Sequence, residues 1–165
     1  MIKVLEYIII GISVFMLHGC GSEADLIGLG TVNDLSINAY LRDSAGNDLL
    51  DPTQNEYINP DSIRAFYVKE GQVDLNSPTW LTEREDNGLK YIDVYFGLHH
   101  ENGYSTLVVY WTNTWVDTIC CQLNEYDDII TDVYVDGKSI WSISEGARDI
   151  VFTRPSVSDG QKNRP

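Results

Sequence analysis

Between residues 35 and 154, apolar and polar side chains alternate with a period of two almost everywhere. Leu35, Ile37, Ala39 and Leu41 alternate with Ser36, Asn38, Tyr40 and Arg42. On an extended strand that period sends successive side chains to opposite faces. The same pattern predicts strands over 63–69, 79–83, 89–98, 104–112, 115–123, 128–135, 138–143 and 149–153, after a turn-rich stretch from Asp43 to Asp61. No segment offers a 3.6-residue apolar stripe, and tyrosine, valine, isoleucine and threonine fill the strands, as a pleated surface prefers. About eight or nine short strands with frequent turns predict an all-β fold, an antiparallel β-sandwich of Ig-like or transthyretin-like kind.

Three dipeptides, Asn87-Gly88, Asn102-Gly103 and Asp136-Gly137, suit two-residue hairpin loops, in which both central residues need positive φ. A hairpin at Asn102-Gly103 sets Leu98 opposite Leu107, Phe96 opposite Val109 and Val94 opposite Trp111, all apolar pairs on one face. A hairpin at Asn87-Gly88 sets Leu81 opposite Val94. Together they predict a three-stranded meander with a continuous apolar face, which a one-residue slip would destroy. On its other face Trp80, Tyr95 and Tyr110 form a row across three strands, flanked by Tyr91 and Val108. Either a loop or the N-terminal segment covers that row, or it is an exposed platform suited to stacking on sugar rings or peptides. A hairpin at Asp136-Gly137 sets Val133 opposite Ile140, Ile130 opposite Ile143 and Trp141 opposite Asp132. In 115–123 the set Trp115, Ile119, Cys121 and Leu123 is the better core face, with Cys120 pointing away.

The first twenty residues carry a different signal. Lys3 precedes an apolar run, Tyr7 to Leu17, with Glu6 at its inner edge. As a helix the run spans about 16 Å, too short for a hydrocarbon core of about 30 Å, and reads as a secretory segment. It ends in Leu17-His18-Gly19-Cys20. This resembles the lipobox of bacterial lipoproteins, with Leu17 in the aliphatic place, Gly19 before the cut and Cys20 as the modified residue; His18 departs from the small residue the pattern favours. The resemblance implies lipid on the Cys20 sulfur, cleavage before it, and a chain held at the outer membrane, facing the periplasm or the cell surface. One acyl chain holds marginally; two or three hold stably. The expected organisation is a signal peptide over 1–19, a lipid-anchored tether over 20–34, a β-sandwich over 35–154 and a flexible tail over 155–165.

Composition narrows the function. The 165 residues are 43% hydrophobic and 11% aromatic, too apolar for a disordered chain. The net charge is −14, and loss of 1–19 leaves it unchanged because Lys3 and Glu6 go together. That acidity excludes a nucleic-acid partner, whose phosphates need a basic footprint, and electrostatic docking on anionic lipid. With Cys20 lipidated, the adjacent Cys120 and Cys121 remain, poorly placed to bridge each other and read as free thiols. There is no C-x-x-C pair, no phosphate-cradling glycine loop and no nucleophile elbow. The only histidines after Cys20 are His99 and His100, ahead of a tight turn. Asp43, Asn47, Asp48 and Asp51 offer oxygen ligands, yet lack the EF-hand pattern and suit tight turns equally. Glu83-Arg84-Glu85-Asp86 and Glu125-Tyr126-Asp127-Asp128 read as solvated loop charges, with a carboxylate-based hydrolase as the weaker alternative. No metal site, cofactor or catalytic residue is expected.

The layout is similar to small lipoproteins of the Bacteroides group. The likeness rests on Leu41-Arg42-Asp43-Ser44-Ala45-Gly46-Asn47-Asp48-Leu49-Leu50 and on Val133-Tyr134-Val135-Asp136-Gly137 running into Ile140-Trp141. It implies a β fold and no particular chemistry. The expectation is a non-enzymatic binding or accessory module for a glycan, peptide or protein ligand, with Trp80, Tyr95 and Tyr110 as the platform. The alternative is a structural envelope component without a small-molecule ligand.

Overall fold

The computed structural model describes residues 34–155. The expected signal peptide, Cys20, the expected tether up to residue 33 and the expected tail beyond Pro155 lie outside the described residues.

Ten strands form: β1 (Ser36–Arg42), β2 (Arg64–Lys69), β3 (Gln72–Pro78), β4 (Leu81–Asp86), β5 (Leu89–Tyr95), β6 (Tyr104–Tyr110), β7 (Val116–Leu123), β8 (Ile130–Val135), β9 (Lys138–Ser142) and β10 (Asp149–Thr153). They make a four-stranded sheet ordered β10-β1-β5-β4 and a six-stranded sheet ordered β3-β2-β6-β7-β8-β9. The alternation predicted from sequence selects the inward positions. Ile37, Ala39 and Leu41 of β1, Ile92 and Val94 of β5, and Ile150 and Phe152 of β10 are buried; so are Ala65 and Tyr67 of β2, Leu107 and Val109 of β6, and Ile119, Cys121 and Leu123 of β7. All belong to one hydrophobic cluster. Trp111, just past β6, meets Phe152 of the opposite sheet with ring centroids 5.0 Å apart, so the two sheets share one core as a sandwich. Cys120 and Cys121 are both free thiols, Cys121 in the core and Cys120 on the other face, as the alternation required.

The predicted turns form. Asn87, Gly88, Asn102, Gly103, Asp136 and Gly137 all have positive φ. A fourth such turn, Glu70-Gly71, leads into β3, which the sequence pattern missed. Most of β3 is exposed and it ends in Pro78; an edge strand with little to bury leaves little periodic signal. β1 and β10 pair in parallel, so the sheets are not wholly antiparallel. Asp34, expected in the tether, bridges to Ile129 and belongs to the domain.

The three-stranded meander does not form. β4 and β5 pair in the predicted register, Leu81 opposite Val94. β5 and β6, however, lie in different sheets. Phe96, Val94 and Leu98 therefore do not pair with Val109, Trp111 and Leu107, although Asn102-Gly103 does turn tightly, with Glu101 opposite Tyr104. The chain crosses the sandwich over residues 96–100, and the six-stranded sheet holds it there. The buried Ser105 Oγ lies 2.8 Å from the Phe96 carbonyl and 2.7 Å from that of His99, and serves both as donor. The Tyr67 hydroxyl accepts from the Leu98 N–H at 3.0 Å. These contacts satisfy backbone groups that would otherwise be left unpaired by leaving the sheet.

The last hairpin also departs from the simple register. Val135 pairs with Lys138 and Tyr134 with Ser139, but Val133 then pairs with Trp141 and Asp132 with Ser142. Ile140 is the extra residue of a β-bulge. The bulge turns Trp141 into the core and leaves Ile140 exposed, where a regular hairpin would have done the reverse.

Candidate functional site

Trp80 occupies the corner where the chain passes from β3, at the edge of one sheet, to β4, at the edge of the other. It is 65% exposed, whereas Trp111, Trp115 and Trp141 are buried. Its indole stacks on Tyr95 with centroids 5.3 Å apart and planes 21° from parallel. The predicted Trp80–Tyr95 neighbourhood is therefore formed. Tyr110 is not part of it: it lies in the six-stranded sheet opposite Arg64, with its ring edge-on to Phe66 at 6.2 Å. Tyr91, expected to flank the row, stays on β5 with Tyr95 and tilts against Tyr40 with ring centroids 5.3 Å apart. The sheet switch at residues 96–100 separates residues that a continuous meander would have aligned.

The Trp80–Tyr95 pair is held from behind. The Tyr95 N–H donates to the Trp80 carbonyl at 3.2 Å. The Tyr95 carbonyl accepts from the buried Tyr67 hydroxyl at 3.1 Å and from Thr79 Oγ1. Burial pushes the Tyr67 phenol above its ordinary pKa, so it stays a donor. Gly97 leaves room for the ring: a Cβ there would collide with the Tyr95 Oη and Cζ and stand 2.8 Å from Leu35 Cδ1. An exposed stack on a fully bonded backbone is a preorganised surface, with little ordering cost left for a ligand to offset.

Trp80 borders an open groove of about 480 Å³, whose walls include Pro60, Asp61, Arg64, Pro78, Thr79 and Thr82. One wall is the 3₁₀ turn Pro60–Ser62, capped by the Asn59 side chain accepting from the Asp61 N–H. Arg64 Nη1 donates to the Asp61 and Ile63 carbonyls at 2.5 and 2.7 Å, which fixes the guanidinium beside the turn.

The acidic clusters have local structural duties. Asp43 accepts from the Ala45 and Asn47 N–H groups, each at 2.8 Å, and from the Asn47 amide at 2.7 Å; these bonds, the Asn47 side chain foremost, lower its pKa. Asp48 pairs with Arg42 at 2.9 Å, and Asp51 accepts from Thr53. Among the described residues no three His, Cys, Asp or Glu side chains gather as metal ligands do. Glu83 pairs with Lys90, and Asp128 accepts from Asn124. His99 lies 3.1 Å from Glu101 and His100 3.2 Å from Asp127, so the two rings face different partners.

A second cleft, of about 290 Å³ beside β9 and β10, gathers Asp117, Glu145 and Asp149. Each carboxylate there is engaged. Glu145 accepts from the Ser142 N–H at 2.9 Å, and Asp149 from the Asn38 amide at 2.8 Å. Asp117 Oδ2 accepts both indole N–H groups of Trp111 and Trp115, at 2.7 and 3.1 Å.

No helix among the described residues is long and apolar enough to cross a membrane. Comparisons with protein-family models, with curated proteins and with solved structures found no match to this chain.

Proposed function

We propose that this protein is a lipid-anchored component of the bacterial cell envelope whose β-sandwich is a non-catalytic carbohydrate-binding module. The observation that carries the binding assignment is Trp80: a tryptophan 65% exposed, stacked on Tyr95 at the edge of a groove. Burying such a ring is the ordinary way to lower its free energy, and this fold buries its other three tryptophans. A flat, rigid aromatic face beside hydroxyl and carboxylate groups matches the alternating apolar and hydroxylated surfaces of a pyranose. Tyr95 supports the ring, and Tyr110 lies outside the platform. The anchor rests on Leu17-His18-Gly19-Cys20 and would place the module at the outer membrane.

Two experiments test this reading. On a glycan array the full-length protein should bind, and Trp80→Ala should lose binding while changing stability by less than about 1 kcal/mol, as surface substitutions do. Equal binding by the variant would remove the platform, and no binding by the wild type would favour a purely structural envelope role. Labelled fatty acid should enter the wild type and not Cys20→Ser; equal labelling would end the lipoprotein assignment.

A further inference from the structure

The groove beside Trp80 holds a cation without a counter-charge. Arg42, Lys69, Arg84, Lys90, Arg148 and Arg154 each meet a carboxylate within ion-pairing distance. Among the described residues Arg64 and Lys138 meet none, and of the two only Arg64 lines the groove, in a chain whose charge is −14 and whose acids far outnumber its bases. Even Asp61, three residues away and on the same groove wall, offers Arg64 its backbone carbonyl and not its carboxylate. The two carbonyl bonds occupy Nη1. Nε and Nη2, the edge that grips a carboxylate in bidentate fashion, have no partner among the described residues.

We propose that the groove recognises an acidic sugar, with Trp80 stacking on the pyranose ring and Arg64 engaging its carboxylate. This deepens the carbohydrate-binding reading and rests on it. The overall negative charge repels dense polyanions at long range, so the ligand is an oligosaccharide in which single hexuronic acids alternate with neutral sugars. Exposed Thr82 and Asp61 on the same groove face ring hydroxyls that need donors and acceptors.

The test uses the full-length protein in detergent, titrated with a glucuronic-acid-containing oligosaccharide, with the same oligosaccharide after reduction of its carboxyl groups, and with a peptide bearing a free C-terminal carboxylate, read by isothermal titration calorimetry. Wild type should bind the acidic form at least tenfold tighter. Arg64→Gln should bind both forms equally, at the affinity of the reduced one. Arg64→Lys should recover part of the preference, which separates a lost charge from a disturbed 3₁₀ turn. Trp80→Ala should lose both ligands. Equal wild-type affinity for the two forms, or an undiminished preference in Arg64→Gln, would overturn the acidic-sugar assignment and leave the carbohydrate module standing. No binding of either form, or binding only of a peptide through its C-terminal carboxylate, would overturn both.

Discussion

Phe96→Ala is expected to destabilise the domain by about 3–5 kcal/mol, seen as a lower denaturation midpoint with an unchanged slope. Phe96 is fully buried at the point where the chain leaves β5. Its N–H donates to the Leu35 carbonyl at 2.7 Å, and its own carbonyl accepts from Ser105 at 2.8 Å. The backbone is thus pinned to both sheets and cannot easily close over the lost ring. The informative control is Leu98→Ala. In a continuous meander Leu98 shares the buried face with Phe96, and both truncations would cost several kcal/mol. In the observed crossover Leu98 is 48% exposed, and its truncation should cost less than about 1 kcal/mol. Comparable losses for the two variants would contradict the sheet switch.

The second large effect is expected at Asp117. Trp111 and Trp115 are buried, and both of their indole N–H groups end on Asp117 Oδ2. Asp117→Ala leaves two buried donors without an acceptor, at about 1–3 kcal/mol each, so a total loss of about 2–6 kcal/mol is expected. Asp117→Asn keeps an oxygen acceptor and removes the charge. Burial pushes the Asp117 carboxyl above its ordinary value of 3.8, and the two indole bonds only partly offset this. A raised folded-state pKa means that folding favours the protonated acid. The wild-type contribution is therefore fully present below 3.8 and is lost as pH rises through the higher folded value. The stability of Asp117→Asn relative to wild type should grow with pH across that window in a series of urea melts. A difference that stays flat from pH 3 to pH 7, roughly the span over which carboxyl groups titrate, would show that the carboxylate carries no burial penalty.

How much of the site was legible follows from these particulars. Trp80 and Tyr95 could be paired from sequence because they belong to one local hairpin, closed by Asn87-Gly88, whose register is set within a few residues of the turn. Tyr110 could not be excluded, because its separation from Tyr95 is decided by distant residues. Arg64 carried no signal at all. A lone arginine at the start of a strand is ordinary in a sequence, and only the packed fold reveals that no acid among the described residues reaches it.

The division between sequence and fold runs along the same line. Alternation determined the all-β class, the inward face of nearly every strand and the opposite orientation of Cys120 and Cys121, because side-chain direction in a strand depends on the residue's own neighbours and not on its partner; the Asn-Gly and Asp-Gly pairs determined three of the tight turns through their tolerance of positive φ. Phe96 and Val109 accordingly both face the core, as their parity requires, although they never pair. Which strands hydrogen-bond was left to the tertiary structure. Parity is the same whether a chain folds back beside itself or crosses to the facing sheet. The choice was made by Ser105 and Tyr67 satisfying the backbone of residues 96–99, and by an extra residue, Ile140, that turned Trp141 inward. Those contacts join residues remote in sequence, and they exist only once the two sheets have packed.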